Sequence, residues 1–201
     1  MTTTVPRTSL WPALVGALRG TVLELGPGDG TNLRYYHPDV RLVAVEPGAA
    51  ARERTGAATG RLGLDVRVLD GRAEELALPG GSVDAVVCAF VLCSVADQAA
   101  TLAEVHRVLR PGGRFLFAEH VAAPSGTWVR RGQNVYAGLT RLVGARCRPN
   151  RETGPAIRRA GFDVVDLHRF DLPGPLGAGI PHLAGAAERR CDLEGRQHDQ
   201  H

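Results

Sequence analysis

The sequence predicts one α/β domain, a doubly wound parallel sheet with an antiparallel strand at its edge. Three observations lead to this fold class. Short apolar runs alternate with helix-compatible segments roughly every 20–25 residues as far as residue 120. A glycine-rich turn directly follows the first apolar run, at 22–30. After residue 120 the alternation stops, and one further strand-like segment follows at 162–169.

Individual elements are predicted from the spacing of apolar residues and from Gly and Pro stops. The run 83–90 is strongly apolar and predicts the central strand. In 96–109 the apolar residues recur at helical spacing, and a Pro-Gly-Gly sequence then ends the helix. The predicted helices are 10–18, 32–36, 49–59, 96–109, 128–143 and 152–160, and the predicted strands are 22–25, 41–45, 66–69, 83–90, 114–118 and 162–169.

Glycine and proline set the remaining boundaries. The stretch LPGPLGAGIPHLAG at 172–185 predicts a loop before a last short helix. Residues 1–20 form a short N-terminal helical segment, and 21–190 form the domain, with a first half at 21–120 and a second half at 121–190. The polar residues 191–201 predict a flexible tail.

Composition limits the functions open to the chain. Its 201 residues, 44% of them hydrophobic, suit one domain with its own core. The net charge of +3 comes from scattered arginines and gives little reason to expect a nucleic-acid partner. No apolar stretch reaches the ~18 residues of a membrane span, and the four dispersed cysteines show no zinc or disulfide spacing. We expect a cytoplasmic protein without a membrane span or a bound metal.

The glycine-rich turn has the sequence ELGPGDG. Glycine lets backbone amides approach a ligand closely. The pattern Glu24-x-Gly26-x-Gly28-x-Gly30 differs by one residue from the G-x-G-x-x-G of dinucleotide sites. An acid at its start suits a cationic ligand, such as a sulfonium that carries an amino group, better than a pyrophosphate.

Glu46 closes the second predicted strand, 22 residues after Glu24. A carboxylate at this place can accept hydrogen bonds from both ribose hydroxyls of an adenosine ligand, and it repels a 2′-phosphate. The alternative is an exposed acid that caps the next helix. The distance from the glycine turn favours the ribose role.

Four motifs in order resemble those of class I S-adenosylmethionine-dependent methyltransferases, whose fold is Rossmann-like. They are ELGPGDG, VAVEP, GSVDAVVCAFVLCSV and EVHRVLRPGGRFLFAEH. The stretches VVCAFVLCSV, EHVAAPSGTW, RET and PHLAG are further similar to the methyltransferase-like thiol methyltransferases. The resemblance implies that the protein binds S-adenosylmethionine and releases S-adenosylhomocysteine. It also implies a soluble, short relative, because animal members carry an N-terminal membrane segment that this sequence does not show.

The same resemblance implies roles for residues of the first half. The glycine turn passes under the methionine and ribose portions of the donor, the acid after the second strand holds the ribose, and the backbone after the fourth strand faces the methionine portion. The residues assigned to the donor in this way are Glu24, Gly26, Gly28, Gly30, Glu46, Pro47, Cys88, Ala89 and Phe90.

The segment 71–74 occupies the position that contacts adenine in the resembled family, which assigns Ala73 and Glu74 to the donor site. Arg72 stands where many relatives have Asp, and arginine cannot accept a hydrogen bond. Either Glu74 or Asp70 replaces that acceptor, or only backbone contacts remain.

Two histidines are candidates for a base that takes the proton of the methyl acceptor. His120 stands at the carboxyl end of the fifth predicted strand, where doubly wound folds place ligands, and His182 lies in the predicted Gly/Pro loop. The alternatives are a His120 that bonds only to backbone and a His182 without a role. If the strand pleat persists, Glu119 and His120 face opposite sides, so only one of them faces the pocket.

The acceptor wall is predicted in the helical segment after His120. Trp128, Gln133 and Tyr136 are the candidates there, with core packing as the alternative for such residues. Cys93 is predicted to be a packed thiol. Cys147 matches a cysteine of the resembled family, although its sequence setting does not show reactivity.

A small-molecule methyltransferase is the first functional hypothesis, and the resemblance favours a thiol sulfur as acceptor. An oxygen, nitrogen or carbon acceptor, including a lipid amine, stays open because acceptor choice depends on the divergent second half. A cyclase-type protein that keeps the donor without methylating is the second hypothesis. A nicotinamide-dependent oxidoreductase is the third, and the glycine spacing disfavours it.

Only one short helix precedes the first predicted strand, whereas methyltransferases of this type often carry one or two that cover the donor. We therefore expect an open or mobile active site, or a lid that a second subunit completes in a homodimer.

Overall fold

The computed structural model describes residues 10–142, 147–174 and 177–190. These residues form a seven-stranded sheet with helices on both faces, which confirms the predicted fold class. The helices are α1 (Leu10–Gly16), α2 (Ala49–Leu62), α3 (Gln98–Val108), α4 (Trp128–Leu142) and α5 (Thr153–Arg159). The strands are β1 (Thr21–Leu25), β2 (Arg41–Val45), β3 (Val66–Leu69), β4 (Val83–Ala89), β5 (Leu109–His120), β6 (Phe162–Pro173) and β7 (Gly179–Arg189).

The strand order is β3-β2-β1-β4-β5-β7-β6. Strands β1 to β5 pair with one another in parallel, and β7 is antiparallel to both β5 and β6. In a sheet of this kind the chain reverses its direction of winding between β1 and β4, and ligands bind beyond the carboxyl ends of the strands at that point. The glycine turn after β1 lies at this position.

Two apolar layers cover the sheet. One layer contains side chains of α3 and α5 with Phe115, Phe117 and Phe162. The other contains side chains of α1 and α2 with Leu33 and Leu116. Alternate strand residues enter opposite layers, because successive side chains of a strand point to opposite faces. Among the described residues no helix combines the length and the apolar character needed to cross a membrane.

The loop and short helix predicted from 172–185 onward are wrong, because 179–189 form strand β7. Small residues suit this strand, which lies between two others. A Cβ at Gly185 would come within 2.1 Å of the Asp166 carbonyl oxygen, where the register of β6 shifts. Ala186 and Ala187 are buried beside it.

Two helix predictions change in the first half. The predicted helix at 32–36 is only a 3₁₀ turn, Leu33–Tyr35, and the N-terminal helix ends at Gly16 instead of residue 18. The turn after β1 is therefore not followed by an α-helix that could direct its dipole at a phosphate. The predicted tail, 191–201, lies outside the described residues, as do residues 1–9 and the end of the predicted helix 128–143.

Candidate active site

The three glycines of the turn after β1 share a backbone conformation but have different surroundings. Gly26, Gly28 and Gly30 all have positive φ, between 56° and 71°. A Cβ at Gly26 would lie 2.7 Å from Val91 Cγ2, and one at Gly30 would lie 2.7 Å from Leu33 Cδ1. A Cβ at Gly28 would meet only the Gly26 carbonyl oxygen, at 4.0 Å. Gly30 is thus required by packing, whereas Gly28 borders open space that a ligand can approach.

Glu24 lies under this turn and is almost completely buried. Its Oε1 accepts a hydrogen bond from the Asn32 amide at 2.8 Å, and Trp11 of α1 donates to that same amide at 2.9 Å. Its Oε2 and the hydroxyl of Tyr36, which lies close enough to affect the pKa of Glu24, make no well-formed hydrogen bond among the described atoms. Burial raises the pKa of Glu24 to about 7 against the opposing effects of Asn32 and Tyr36. A cation next to Oε2 would satisfy this carboxylate.

Glu46 lies at the carboxyl end of β2, beside the glycine turn. Its carboxylate accepts hydrogen bonds from the backbone amides of Gly48 at 2.9 Å and Gly28 at 3.4 Å. With Pro47 it lines a cavity of about 540 Å³. The structure thus places Glu46 against both the turn and the cavity.

The predicted adenine segment lines the same cavity with Arg72, Ala73 and Glu74. Burial works to raise the pKa of Glu74, but backbone amides, including those of Ala96 and Asp97, and the Arg72 guanidinium outweigh it and lower that pKa. Asp70, the other predicted acceptor, is exposed and paired with Arg52 at 2.9 Å. It does not line the cavity, whereas Glu74 does.

A second cavity, of about 250 Å³, continues on the other side of the turn. It shares Gly26 and Phe90 with the first cavity and is bordered by Leu10, Trp11 and Leu14 of α1. The two cavities form what we call the donor cleft. Helix α1 therefore covers one end of the cleft, and the open or mobile site, or the lid completed by a second subunit, stays a prediction.

The chain after β4 forms the floor of the donor cleft. Ala89 lines the smaller cavity, whereas Cys88 is fully buried with its thiol 3.4 Å from a Glu119 oxygen. Phe90 has φ 59°, the only positive value outside glycine in the described residues. Such a conformation costs about 1–3 kcal/mol and persists where the surroundings enforce it. Here the Phe90 amide donates to the Ala118 carbonyl oxygen at 2.7 Å.

Glu119 holds this loop in place. The carboxylate is fully buried and accepts hydrogen bonds from the backbone amides of Val91, Leu92 and Cys93 at 2.9–3.1 Å. Burial raises its pKa to about 8, against the effect of these amides. Glu119 therefore faces away from the site into the loop, and His120 is the member of the pair on the other side. The sequence left this choice open.

His120 and His182, which the sequence suggested separately, are directly opposite each other in the β5–β7 ladder. Their ring centroids are 4.6 Å apart, and the Phe90 ring lies 5.0 Å from His120 and 5.8 Å from His182. Phe170 pairs with His182 from β6 and stacks on it at 5.4 Å. Four rings from four segments thus meet at the edge of the donor cleft.

His182 is buried, and its Nδ1 lies 2.7 Å from the Ile180 carbonyl oxygen. A carbonyl oxygen only accepts, so a neutral His182 carries its proton on Nδ1 and its lone pair on Nε2. The residue lines a third cavity, of about 580 Å³, which we call the acceptor cavity. His182 is therefore a strand residue that lines this cavity, not a residue of the predicted Gly/Pro loop.

The three predicted wall residues occupy different environments. Trp128 lines the acceptor cavity and is 62% exposed. Tyr136 is exposed and borders none of the cavities described here. Gln133 is buried, and its amide donates to the Val121 carbonyl oxygen at 2.9 Å and accepts from the Ala123 amide at 2.8 Å. These bonds give Gln133 a structural task below the cavity.

Cys93, His120 and Cys147 bring three potential metal-ligating atoms together, each from a different segment. The hydrogen bond between the two thiols lowers the pKa of Cys147 to about 7 and raises that of Cys93 to about 12, with burial adding to the rise for Cys93. The sequence predicted no metal from the spacing along the chain. The fold creates this group across 27-residue separations that no spacing rule covers.

The fold and the acidic, glycine-lined cleft at the carboxyl ends of β1, β2 and β4 define a methyltransferase that uses S-adenosylmethionine. Residues 23–117 match a methyltransferase domain family. Solved structures agree in fold. A structure from Bacillus halodurans C-125, whose protein is described as a proposed methyltransferase, superposes with a TM-score of 0.73 at 18% identity. The match covers 90% of this chain and 97% of the other. A SAM-dependent methyltransferase from Methanosarcina mazei gives 0.69 at 16% identity, covering 86% and 93%.

The sequence comparison is more specific. Human thiol S-methyltransferase TMT1A is 36% identical over 170 residues, which cover 83% of this chain and 70% of the human protein. The chain belongs to the S-adenosylmethionine-dependent methyltransferase family that includes this enzyme. The predicted enzyme class, donor and family are thereby confirmed.

Proposed function

We propose that the protein methylates the sulfur of a small-molecule thiol. The observation that carries this proposal is the pair His120–His182, of which His182 lines the acceptor cavity. Phe170, which stacks on His182, lines both that cavity and the donor cleft. The similarity of the whole chain to a thiol S-methyltransferase, over most of both proteins, supports the same acceptor class. A thiol needs less help from the enzyme than an alcohol does, because its pKa is about 8.5.

The cleft residues fit the donor. S-adenosylmethionine, when bound, supplies an electrophilic methyl group on a positively charged sulfur. Glu24 lies buried beneath the glycine turn and lines neither cavity, but its Oε2 makes no well-formed hydrogen bond in the described structure and can accept one from the donor's cationic amino group. Gly28 lets the backbone approach, and Glu46 is placed to accept from the ribose hydroxyls. The adenine contacts fall to Ala73 and Glu74, of which Glu74 already accepts hydrogen bonds from Ala96 and Arg72.

His182 acts as the base. Its Nδ1–H is held by the Ile180 carbonyl oxygen, so Nε2 is the nitrogen that takes the thiol proton. His120, the other candidate from the sequence, has its Nδ1 turned toward two cysteine sulfurs and supports the site from β5. A positioned base contributes typically 10²–10⁴-fold, and alignment of the reacting atoms about 7–11 kcal/mol. Alignment therefore accounts for most of the catalysis.

The acceptor cavity defines the rest of the proposal. Trp128 and Phe170 supply apolar surface, and Arg130, Arg151 and Arg169 supply positive charge. This lining suits a small, partly apolar thiol, and the absence of a nucleic-acid partner stays a prediction. The cytoplasmic location and the homodimer also stay predictions. Sedimentation velocity tests the homodimer, because a single species of 21.4 kDa would contradict it.

The acceptor class is tested with purified enzyme, methyl-labelled donor and matched panels of thiols, phenols and amines. We expect label on thiols, with much less on phenols and amines of the same size. Label only on phenols, amines or carbon would replace the thiol by one of those acceptors. Donor binding without label on any compound would favour a cyclase-type protein. Reactions without enzyme measure the spontaneous rate for each thiol.

A further inference from the structure

Three soft ligand atoms converge beside the paired histidines. Cys93 Sγ lies 3.5 Å from His120 Nδ1, Cys147 Sγ lies 3.8 Å from the same nitrogen, and the two sulfurs are 3.9 Å apart. We propose that these side chains hold one zinc ion with an open fourth position, and that this position takes the acceptor thiol. The binding of the acceptor thiol to the zinc ion rests on the proposed function, whereas the zinc site itself does not.

The distances fit a tetrahedral zinc site. With Zn–S near 2.3 Å and Zn–N near 2.0–2.1 Å, a tetrahedron has sulfur–sulfur edges of about 3.8 Å and sulfur–nitrogen edges of about 3.6 Å. The three observed separations depart from these edges by no more than about 0.2 Å. One zinc ion would therefore reach all three atoms without a change in the backbone.

The surrounding structure holds the ligands in position. The Cys93 amide donates to Glu119, and the Cys93 carbonyl oxygen accepts from the Arg148 amide at 2.6 Å. The Arg151 guanidinium donates to the carbonyl oxygens of Leu92 and Val95. The segment that carries Cys147 is thus tied to the loop that carries Cys93. Supported ligands of this kind are what a metal site needs to bind tightly.

The ligand set selects the metal and its role. Two sulfurs and an imidazole favour zinc over magnesium or calcium, which prefer oxygen ligands. Structural zinc sites have four protein ligands, and catalytic ones have three with a fourth position for water or substrate. Among the described residues the group contains three ligand atoms. The proposed site is therefore of the open, substrate-binding kind.

The location suits an acceptor thiol. Ser94 and Arg148, neighbours of the two cysteines, line the donor cleft, and His120 packs against His182 on the acceptor cavity. Zinc binding releases the protons of both cysteine thiols to water. The acceptor thiol then binds as a thiolate, and its proton passes to His182 and on to solvent. The new bond uses an electron pair of that sulfur, while the electrons of the broken carbon–sulfur bond stay on the donor sulfur. The neutral thioether product is a weaker ligand and leaves.

The metal is tested first without donor or acceptor. The full-length protein is loaded with Zn²⁺, dialysed against a weak chelator and analysed for metal, and a Co²⁺-loaded sample is examined by absorption spectroscopy. We expect one zinc per chain and cobalt–thiolate charge-transfer bands. Cys93→Ser, His120→Ala and Cys147→Ser should each weaken zinc binding at least about tenfold.

Two variants serve as matched controls. Cys88→Ala removes a buried cysteine outside the group, and His37→Ala removes a partly exposed histidine paired with Asp39. Both should keep one zinc and the cobalt bands. Equal zinc retention in Cys93→Ser and wild type would overturn the proposal, and so would a chain that retains no metal under reducing conditions. Mass spectrometry that shows a Cys93–Cys147 disulfide in freshly purified protein, with no metal, would make the pair a disulfide instead.

A second measurement tests the zinc site and the proposed thiol methylation independently of each other. Adding thiols that the enzyme methylates to the cobalt form, without donor, should shift the charge-transfer bands, and an alcohol of the same shape should not. If zinc-free protein methylates thiols at the full rate, the metal has no part in the reaction and thiol methylation stands. If zinc binds to the three residues but no thiol is methylated, the proposed function fails and the metal site stands.

Discussion

The two halves of the domain build their sites in different ways. In residues 21–120 the donor cleft uses short stretches of consecutive residues, such as the turn from Gly26 to Gly30 and the end of β2 at Glu46. In residues 121–190 the acceptor side joins single side chains from separate segments, among them His182 and Trp128. A site built from consecutive residues can be recognised in the sequence. A site built from side chains that only the fold brings together cannot.

Removing the proposed base should give the largest loss of activity. This loss should come from the acceptor side alone, without a change in donor binding. His182→Ala is expected to lower kcat by about 10²–10⁴-fold, with donor affinity within about twofold of wild type. Stopped assays at saturating donor, together with calorimetry, measure the two quantities. His37→Ala is the control and should leave both unchanged. A loss of kcat below about threefold would remove His182 from the chemistry.

Gln133 tests whether the second half contains structural residues that the sequence suggested as acceptor contacts. Gln133→Ala leaves the Val121 carbonyl and the Ala123 amide without their partner. We expect the free energy of unfolding to fall by about 2–4 kcal/mol, measured by urea titration, with little change in KM of the folded enzyme. The exposed neighbour Asn134→Ala should change stability by less than about 0.5 kcal/mol. Unchanged stability with a raised KM would return Gln133 to the acceptor wall.

On the donor side, Glu46→Ala should weaken S-adenosylmethionine binding by about 1–3 kcal/mol, because hydrogen bonds to a charged group are lost. Calorimetry measures the affinity, and thiol turnover at saturating donor should stay near wild type. The exposed Glu53→Ala, on α2, serves as the control. An unchanged donor affinity in Glu46→Ala would move the ribose contact elsewhere.

The smallest predicted effect is a dependence of donor binding on pH. Because the pKa of Glu24 is raised to about 7, the carboxylate that a cationic donor requires forms only as the pH rises toward that value. Affinity should increase about tenfold between pH 6 and pH 8. Glu24→Gln should bind weakly and lose this slope. A wild-type affinity that is constant over this range would contradict an ionised Glu24 in donor binding.

The contribution of Glu24 to the free energy of unfolding should fall as the pH rises, whereas donor affinity increases. The folded pKa of Glu24 lies above its ordinary value of 4.5, so the folded state binds more protons than the unfolded state between about pH 4.5 and 7. This contribution is present in full below that window and is lost as the pH rises through it. Glu24→Gln should therefore flatten the decline in unfolding free energy between these pH values.

The parts of the fold that the sequence predicted share one physical origin. Strands β1 to β5 follow from short apolar runs and helix α3 from apolar periodicity, because each buries one face or both. Helices α2 and α5 were predicted from helical composition and from a glycine stop. Strand β7 was missed since its buried positions are filled by Gly185 and alanines, which in sequence look like a loop. The tight approach of Asp166 explains the glycine, and only the assembled sheet shows that approach.

The site divides in the same way. Residues that line the cleft, such as Gly26, Glu46 and Phe90, could be predicted because the cleft depends on a turn and two strand ends. His120 and His182 were found singly, and their pairing required β7. Cys93 with Cys147, and the Glu119 carboxylate that binds three amides, were not predictable, since tertiary contacts alone bring these groups together.

A double-mutant cycle on Glu46 and His182 tests most directly the claim that donor and acceptor functions reside in separate groups. We would measure kcat/KM for a thiol substrate at a fixed, subsaturating donor concentration. The four proteins compared are wild type, Glu46→Ala, His182→Ala and the double variant. Independent groups predict a loss in the double variant equal to the product of the two single losses, within about twofold. A double variant no slower than His182→Ala alone would show that both residues act on one step and would contradict the division proposed here.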